Sequence, residues 1–572
     1  MSDPTTALPP PPPARRVVLP RLEEPQLFLL LAILIGIFSG LAVVCFRVAI
    51  EWSRLLLLGP ALEPSFPRVV LVPAVIGLIV ATLVVFLFPT ARGSGVQQTK
   101  AAVYISNGYI AFRTVIAKFV TCALAIGGGH SLGPEDPSLQ IGAGLASLFG
   151  RWLKLSRDKL RLIAPVGAAA GLAAAFNSPI TAVLFVIEEV IGTWSAGALG
   201  AIVLAAVSAV VTQQWFLGGE PLFRVPAFQL THPLELLSYS ALGVAGGCAA
   251  LVFVKLATTL RPRLRSLPRW THILQPAAAG AIIGVIGIWY PQVMGAGYEH
   301  MDEAMHDQYA WSTLAVLAGL KLLSTVLSFA SGTPGGLFAP TLFMGAMLGG
   351  AVCGVARMIA PDVTGPIGAY ALVGMGTLFA GILRAPMTSV FMMVEVSGNY
   401  SIVLPVMISN SIAYMISRRF QPTPIFEVLS HQDGVLLPSM EEQREAQPLR
   451  VEHAMRETTL VLDGGMTVSD ARAFLEGAPS GVVPVLLSGA IWAGVSEREV
   501  ELLHASGHGP ESLQQALGAD ARVATVHRDQ PLDTALRLLR NRPILPVVHR
   551  EDRRRIEGVI TLEDILAVYR GE

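Results

Sequence analysis

Long apolar segments, many of them broken by glycine or proline, fill most of the chain before residue 430 and constrain its fold most strongly. The first runs from Leu27 to Ile50, and the others lie at about 70–88, 112–128, 160–176, 178–191, 197–217, 235–257, 273–290, 312–330, 337–359, 367–383, 385–397 and 401–417. A membrane-spanning helix needs about 20 apolar residues, and several of these segments are shorter. Interrupted helices are tolerated at membrane depth where they line a cavity or pack inside protein. The sequence therefore predicts an α-helical polytopic membrane protein, some of whose helices end inside the bilayer.

The composition supports a membrane protein and argues against several other classes. Of the 572 residues, 52% are hydrophobic and 14% are charged, whereas a soluble domain averages about 25% charged residues. The formal net charge is zero, so we expect no nucleic-acid partner. The four cysteines stand singly inside apolar runs, which predicts neither a disulfide framework nor a zinc site. We therefore expect no bound metal.

The termini and the basic loops predict the orientation in the membrane. Residues 1–24 are proline-rich and basic, and we interpret them as a flexible cytoplasmic tail. Basic residues also cluster between apolar segments, at Arg151, Lys154, Arg157, Lys159 and Arg161 and again at Arg261, Arg263, Arg265 and Arg269. By the positive-inside rule these loops and both termini are cytoplasmic. We expect a multi-pass protein of a bacterial inner (plasma) membrane.

An internal repeat joins the two halves of the apolar region. The matching pairs, in chain order, are Gly93-Ser-Gly-Val with Gly295-Ala-Gly-Tyr, Lys118 with Lys321, Gly133-x-x-x-Pro137 with Gly336-x-x-x-Pro340, and Pro179-Ile-Thr…Glu188 with Pro386-Met-Thr…Glu395. The offsets all lie between 202 and 207 residues, so chance is a poor explanation for four ordered pairs. Duplicated halves with interrupted helices are typical of transporters whose site lies at the repeat interface. We expect repeats over about 25–217 and 235–420.

The stretch Gly127–Gly142 carries two adjacent acids, Glu135 and Asp136, between apolar segments. Ionisable residues inside a membrane are costly and are usually functional. The local alternative is a surface loop in which an acid caps the following helix. Both interpretations fit this stretch when it is considered alone.

Glycine-rich turns precede helices at three motifs, Gly93-Ser-Gly, Gly133-Pro-Glu and Gly336-Leu-Phe. The first turn of a helix has unpaired N–H groups and a partial positive charge. Several such ends aimed at one point form an anion site from which the ion can also leave. The Ser94 hydroxyl would add a donor. Lys118 and Lys321 would raise the local potential from a distance, unless they snorkel to an interface or pair with carboxylates.

Together these motifs resemble those of the CLC family of chloride channels and proton-coupled chloride transporters. The resemblance rests on Gly93-Ser-Gly-Val, Gly133-Pro-Glu-Asp-Pro, Gly171-Leu-Ala-Ala-Ala-Phe-Asn-Ser-Pro, Glu188-Glu189 and Gly336-Leu-Phe-Ala-Pro. It covers residues 25–430 and implies the CLC fold, with two repeats of inverted topology in a lipid bilayer. It also implies a homodimer in which each subunit has its own pore.

The resemblance implies roles for individual residues. The anion would be bound by Ser94 and by the backbone N–H groups of Leu337, Phe338 and Ala339. Glu135 matches the gating glutamate, whose carboxylate competes with chloride and leaves when it is protonated. Glu189 matches the inner proton-transfer glutamate of the exchangers, where channel members tend to carry an apolar residue. Without the resemblance, a polar helix end at the cytoplasm would explain Glu189 and the glutamate before it.

Three residues depart from the usual family pattern. Pro134 replaces an arginine and Asp136 replaces a glycine of the gating motif. Proline lacks a backbone donor, and two adjacent acids in a low dielectric repel each other, so we expect Asp136 to act at the anion site and to change the pH dependence of gating. Phe426 stands at the place of the central tyrosine and removes one hydroxyl donor. We expect it to loosen chloride–proton coupling or to allow a channel-like leak.

The favoured function is H⁺/Cl⁻ exchange, with chloride and protons as the transported ions. Ser94 favours chloride, because nitrate-preferring relatives tend to have proline there. Glu189 favours exchange, whereas Phe426 and the altered gating motif favour the alternative, a passive chloride channel regulated by the C-terminal region. A cation transporter would need carboxylates or exposed carbonyls along its path. An intramembrane enzyme is the remote alternative, but the HExxH spacing of a metalloprotease is missing, and we do not expect an enzyme.

Residues 431–572 are more polar and contain a second, shorter repeat. Val483-Pro-Val…Gly494-Val recurs as Leu545-Pro-Val…Gly558-Val, which predicts paired αβ units in the cytoplasm. They resemble tandem CBS domains, at about 450–507 and 520–572. In that resemblance Thr561 and Asp564 fit the pattern that binds the ribose of ATP, ADP or AMP, and the first copy has Glu497 and Val500 at the corresponding places. The alternative is a purely structural dimerisation module.

Overall fold

The chain divides into two compact units, residues 1–443 and residues 444–572. We call them the transmembrane unit and the C-terminal unit. The computed structural model describes residues 24–60, 66–192, 196–220, 222–223, 225, 230, 232–435, 437, 449–457, 460–476, 482–518, 523–539, 544–550, 552 and 555–570. The proline-rich tail predicted over residues 1–24 lies outside the described residues except for its last position.

The first half of the transmembrane unit forms helices α1 to α8. They are, in order, Glu24–Leu57, Phe66–Thr82, Val96–Tyr104, Phe112–Gly127, Glu135–Trp152, Arg157–Phe176, Pro179–Phe185 and Ala196–Leu217. A π-helical turn, Val186–Ile191, extends α7. The short helices α3 and α7 are the interrupted segments that the glycine- and proline-containing sequence predicted.

The second half repeats this series as α9 to α16 and adds α17. These helices are Glu235–Arg265, Thr271–Gly287, Tyr298–Met305, Trp311–Ala330, Phe338–Ile359, Ile367–Leu383, Pro386–Ser397, Val403–Phe420 and Ile425–Gln432. Within the described residues, eight helical stretches are long and apolar enough to cross a membrane. Exposed apolar residues alternate with buried residues along these helices, and many polar side chains are buried, as expected of a membrane bundle.

The duplication seen in the sequence is also present in the packing. Helix α5 packs on α6 as α13 packs on α14, and α1 packs on α8 as α9 packs on α16. The equivalent helices α2 and α10 contact each other directly. A Cβ on Gly77 would lie 2.4 Å from the carbonyl oxygen of Pro276, and one on Gly280 would lie 2.2 Å from that of Pro73. These reciprocal contacts require glycine, because only its missing side chain lets the two backbones approach so closely.

The C-terminal unit contains two small sheets. Strands β1 (Leu462–Asp463), β2 (Val482–Leu487) and β3 (Ala490–Ser496) lie in this order, with β1 parallel and β3 antiparallel to β2. Strands β4 (Leu545–Val548) and β5 (Ile556–Ile560) form an antiparallel pair. The helices, α18 to α23, are Val451–Ala454, Val468–Leu475, Glu497–Leu503, Leu513–Leu517, Leu532–Leu539 and Leu562–Arg570. Each sheet packs its own apolar cluster, so the unit consists of two αβ copies.

Candidate functional site

A two-residue bridge joins the repeats at the centre of the transmembrane unit. Gly133 donates its N–H to the carbonyl of Gly336 at 2.9 Å, and Gly336 donates back to Gly133 at 2.7 Å. The two glycines are equivalent positions of the repeat, 203 residues apart, and their pairing is antiparallel. A reciprocal bond between equivalent residues is what a local two-fold axis between inverted halves produces. It holds the starts of α5 and α13 side by side.

Two carboxylates from the start of α5 occupy backbone donors at the start of α13. Glu135 and Asp136 are fully buried. Asp136 Oδ2 accepts the N–H of Leu337 at 2.9 Å, and Glu135 Oε2 accepts the N–H of Ala339 at 3.2 Å. The local alternative of an acid on a surface loop is therefore wrong. The acids bind the helix end of the other repeat, where the partial positive charge of α13 stabilises them.

Ser94 and the start of α3 lie against Asp136. Gly95 has φ +126°, and a Cβ there would lie 2.5 Å from the carbonyl oxygen of Asp136. Glycine is thus required both by its backbone conformation and by the close contact. The Ser94 hydroxyl is buried and interacts with the Asp136 carboxylate without forming a hydrogen bond of good geometry in the described part of the chain. A buried hydroxyl beside an anion-binding helix end can donate to an anion there.

The repeated lysines have a role that the sequence did not indicate. Lys118 donates to the carbonyls of Ala91 and Gly93, at 2.9 and 2.7 Å. Lys321 donates to the equivalent carbonyls of Val293 and Gly295, at 3.0 and 2.8 Å. Both lysines are fully buried. Neither snorkels nor bonds to a carboxylate at these contacts. Each instead fixes the glycine-rich turn that leads into α3 or α11.

Glu189 is buried and paired with a residue that sequence reasoning missed. Its carboxylate lies 3.2 Å from the ammonium of Lys100, and the two side chains are 3% and 1% exposed. Lys100 stands six residues after Ser94, and α3 carries it away from the acids at the start of α5. The pairing therefore connects the proposed inner proton site to the helix that presents Ser94. The sequence signal that could have indicated this pair was Lys100 itself, a charged residue in a short segment between apolar segments.

Glu188 has a structural partner in the other repeat. Its carboxylate accepts the N–H and hydroxyl of Thr388, at 2.9 and 2.7 Å, at the start of α15. Glu395 accepts the N–H and hydroxyl of Thr181, at 2.8 and 2.7 Å, at the start of α7. The end of each helix thus caps the start of the other. The repeated Pro-x-Thr…Glu motifs carried this signal, although the sequence did not show that the partners are exchanged.

Aromatic rings surround the start of α13. The ring of Phe338 lies 4.9 Å from Phe185, 5.3 Å from Phe379 and 5.9 Å from Phe176, measured between centroids. Phe426 is buried in the first turn of α17, a helix that packs against α3. These rings make the surroundings of this helix start apolar. Phe426 supplies no hydroxyl.

The described residues hold no cluster of three His, Cys, Asp or Glu side chains suited to a metal ion. In the C-terminal unit, Thr561 and Asp564 bond to each other at the start of α23, with the Thr561 hydroxyl and N–H both donated to Asp564 Oδ2. Asp564 Oδ1 also accepts the Arg456 guanidinium. This arrangement is a helix cap made within one copy, whether or not it also binds a ribose.

The equivalent cap in the first copy lies one residue earlier than the sequence repeat indicated. Ser496 and Glu499 form the same reciprocal pair at the start of α20. The hairpin registers explain the shift, because Pro484 faces Gly494 whereas Pro546 faces Val559. The structural offset is therefore 65 residues at this point, and the assignment of Glu497 and Val500 was wrong.

The comparisons with known proteins agree with this architecture. The family described as voltage gated chloride channel matches residues 76–418, and the CBS domain family matches residues 519–571. The chain belongs to the CLC family. This confirms the resemblance that the motifs indicated and the predicted fold, a polytopic CLC domain followed by a CBS region. It is a family of membrane transporters and channels rather than of enzymes.

Two curated relatives are similar over most of the chain. The H(+)/Cl(-) exchange transporter ClcA of Vibrio campbellii is 30% identical over 71% of this chain and 89% of its own length. A protein of Ralstonia nicotianae named "Putative chloride channel protein ClcB-like" is 31% identical over 68% of this chain and 92% of its own. The solved structure of a slow cyanobacterial Cl-/H+ antiporter, 24% identical, superposes with a TM-score of 0.66 over 74% of this chain and all of that one.

Proposed function

We propose that the protein exchanges chloride for protons across a membrane through a path centred on the starts of α3, α5 and α13. The supporting observation is the contact between the Glu135 carboxylate and the N–H of Ala339, at 3.2 Å. A helix N-terminus is an anion site, and here a tethered anion fills it. A soluble anion such as chloride would compete for the same donor. The name of the Vibrio relative, an exchange transporter, supports the same assignment.

In the proposed cycle, Glu135 alternates with chloride. The ionised carboxylate holds the N–H of Ala339 and closes the path. Protonation removes its charge and most of its attraction to the helix end, so the side chain leaves and chloride takes its place. Ser94 and the N–H groups of Leu337 and Phe338 would hold chloride further along. No fixed positive charge touches the ion in this proposal, which allows it to leave again.

Glu189 is proposed as the inner proton donor and acceptor. It is buried, it lies at the end of the α7 segment, and it is held by Lys100. The proton would pass between this glutamate and Glu135, while chloride reaches the path past Ser94. The two ions would then share only the region around the starts of α5 and α13.

The second candidate is a passive chloride channel. Phe426 favours it, because the absence of a hydroxyl at this place removes one chloride donor and one constriction of the inner mouth. The ClcB-like relative from Ralstonia, named as a chloride channel protein, also favours it. In a channel, chloride would cross without net proton movement, and Glu189 would have no transport role.

Flux measurements on liposomes separate the candidates. Purified protein is reconstituted, a chloride gradient is applied, and chloride and external pH are recorded together. Chloride-driven proton movement supports exchange, chloride movement without protons supports the channel, and movement of neither ion contradicts both. Glu135→Gln mimics the protonated state, so we expect chloride flux to persist and proton movement to vanish. Proton coupling that survives in this variant would remove Glu135 from its proposed role.

Phe426→Tyr tests the inner mouth. The added hydroxyl is expected to raise chloride affinity or to increase the number of protons moved per chloride. A matched variant, Phe420→Tyr, adds the same hydroxyl at an exposed place on α16. Equal coupling and affinity in wild type and Phe426→Tyr would contradict the assignment of Phe426 to the path.

We further propose a homodimer with one path per subunit, with both termini cytoplasmic in a bacterial inner membrane. The C-terminal unit is proposed to be a tandem CBS pair, with Thr561 and Asp564 contacting the ribose of an adenine nucleotide. Thermal unfolding with and without ATP, ADP or AMP tests the last point. A stabilisation by nucleotide that is lost in Thr561→Ala and kept in Ser496→Ala supports it, and no stabilisation by any of them contradicts it.

A further inference from the structure

The two acids at the start of α5 divide the donors of α13 between them. Asp136 is one methylene shorter than Glu135 and takes the N–H of Leu337, while Glu135 takes that of Ala339. The second oxygen of each carboxylate, Asp136 Oδ1 and Glu135 Oε1, is buried and has no hydrogen-bond partner among the described residues. Two separate places on one helix end are therefore filled by two separate tethered carboxyl groups.

The place of Asp136 is also the place nearest Ser94. Gly95 packs directly against the backbone of Asp136, and a Cβ on Gly336 would lie 3.1 Å from its carboxyl carbon. The Ser94 hydroxyl is buried, and the group near enough to interact with it is the Asp136 carboxylate. Asp136 thus lies beside the Ser94 hydroxyl and accepts the N–H of Leu337. A chloride ion at that point would need the donors that Asp136 now uses.

We propose that Asp136 is a second gate in series with Glu135, whose carboxylate chloride must displace before it can occupy the place beside Ser94 and Leu337. This inference rests on the proposed chloride transport and deepens it. Two carboxylates, rather than one, then have to give up their donors for the path to fill. Because each leaves most readily in its neutral form, chloride binding is linked to the uptake of a proton at each position.

Several charged groups act on these acids and set the pH range of the linkage. Besides the two acids themselves, the titratable groups on helices that pack against α5 include Lys118 and Cys122 on α4, Arg47 on α1 and Lys100 on α3. Lys118 acts on Asp136 and Arg47 acts on Glu135. The acids therefore experience different positive charges, and we expect their protons to be taken up at different pH values.

Calorimetric titration of the full-length protein with sodium chloride tests the proposal. Repeating the titration in buffers of different ionisation enthalpy gives the number of protons taken up per binding event. At a pH where both acids are ionised, that number is expected to approach two for the wild type, one for Asp136→Asn or Glu135→Gln, and none for the double variant. Asp136→Asn is also expected to lower the chloride dissociation constant at least about tenfold, because a neutral amide competes poorly for the N–H of Leu337.

Asp362→Asn is the matched control, because it makes the same Asp-to-Asn change at an exposed residue. It is expected to show the chloride affinity and proton number of the wild type. If Asp136→Asn keeps the wild-type affinity and proton number while Glu135→Gln changes them, Asp136 is only a helix cap and the inference is wrong. If Asp136→Asn does not fold, the number of protons taken up by Glu135→Gln decides the outcome. Uptake of one proton per chloride in that variant supports the second gate, and uptake of no proton overturns the inference. Absence of chloride binding and flux in all variants would instead contradict the proposed function.

Discussion

Both units of this protein are duplicated, but they protect their helix starts in opposite ways. In the C-terminal unit several helix starts are capped from within the same copy, by residues three positions apart such as Ser496 with Glu499 and Thr561 with Asp564. In the transmembrane unit the carboxylate comes from the other copy. Glu188 caps α15, Glu395 caps α7, and the acids of α5 bind the start of α13.

The difference offers a reason why the proposed ion path lies at the centre of one duplication and not of the other. A local cap completes its helix whether or not the other copy is present. A cap supplied across the repeat exists only when both halves are assembled, and it places a charge at their interface. In a region without water such a charge is costly unless it is bound. The cross-repeat contacts are therefore expected to contribute more to stability than the local ones.

The largest expected effect concerns the buried ion pair. Lys100→Met leaves Glu189 buried without its cation, which should cost about 3–5 kcal/mol. Thermal unfolding of the purified full-length protein in detergent measures it. The double variant Lys100→Met/Glu189→Gln should recover much of the loss, because no uncompensated charge remains. Lys255→Met, at an exposed position, is the control. A double variant as unstable as Lys100→Met would show that the charge is not the cause.

The cross-repeat caps should have the next largest effect. Glu395→Ala and Glu188→Ala each remove charged hydrogen bonds at a helix start, and we expect each to cost about 2–3 kcal/mol in the same assay. The two values should agree, because the contacts are equivalent in the two repeats. Glu51→Ala, which removes an exposed carboxylate paired with Arg54 in the same helix turn, should change little. Equal small effects for all three variants would contradict the importance of exchanged caps.

The local caps of the C-terminal unit should matter less. Ser496→Ala and Thr561→Ala are each expected to destabilise this unit by about 1 kcal/mol, the usual cost of losing a capping hydroxyl. Ser506→Ala, at an exposed serine outside these caps, is the control. A loss as large as that of Glu395→Ala would remove the distinction drawn between the two units.

The smallest expected effect concerns an exposed pair, Arg550 with Asp529, whose closest atoms are 2.6 Å apart. The hydrogen bond from Arg550 holds the pKa of Asp529 below its ordinary value of 3.8. The stabilisation is therefore present above that value and is lost only as the pH falls through the lower pKa of the folded state. Arg550→Gln should lower the unfolding temperature at pH 7 only slightly, because solvent screens an exposed pair. A clear loss at pH 7 would show that exposed pairs matter here.

Much of the transmembrane unit could be predicted, because its motifs are local. The interrupted apolar segments, the ordered repeats and the acids at Glu135 and Asp136 are all visible along the chain. The partners were not predictable in the same way. Glu188 meets a threonine 200 residues away, and Lys100 meets Glu189 on another element. No periodicity in one segment encodes such pairs, since they depend on how the halves pack.

Two further differences have simple physical causes. The alternatives considered for Lys118 were a membrane interface or a carboxylate, but the turn before α3 offers two carbonyls at hydrogen-bond distance. The cap in the first copy of the C-terminal unit was predicted one residue too late along the chain. The spacing from Gly494 to Gly558 suggests an offset of 64 residues between the copies, whereas the strand registers give an offset of 65 at this point. Strand register, which depends on backbone pairing, resolved what sequence spacing could not.

Tethered carboxylates and a free halide are proposed to use the same donors at the start of α13. Crystals of wild type and of Glu135→Gln/Asp136→Asn, grown in bromide, test this competition directly by anomalous diffraction. We expect bromide at hydrogen-bond distance from the N–H groups of Leu337 and Ala339 in the double variant, and no bromide there in the wild type at a pH where both acids are ionised. Bromide bound at those groups with both wild-type carboxylates still in place, or its absence from them in a transporting double variant, would contradict the proposed competition.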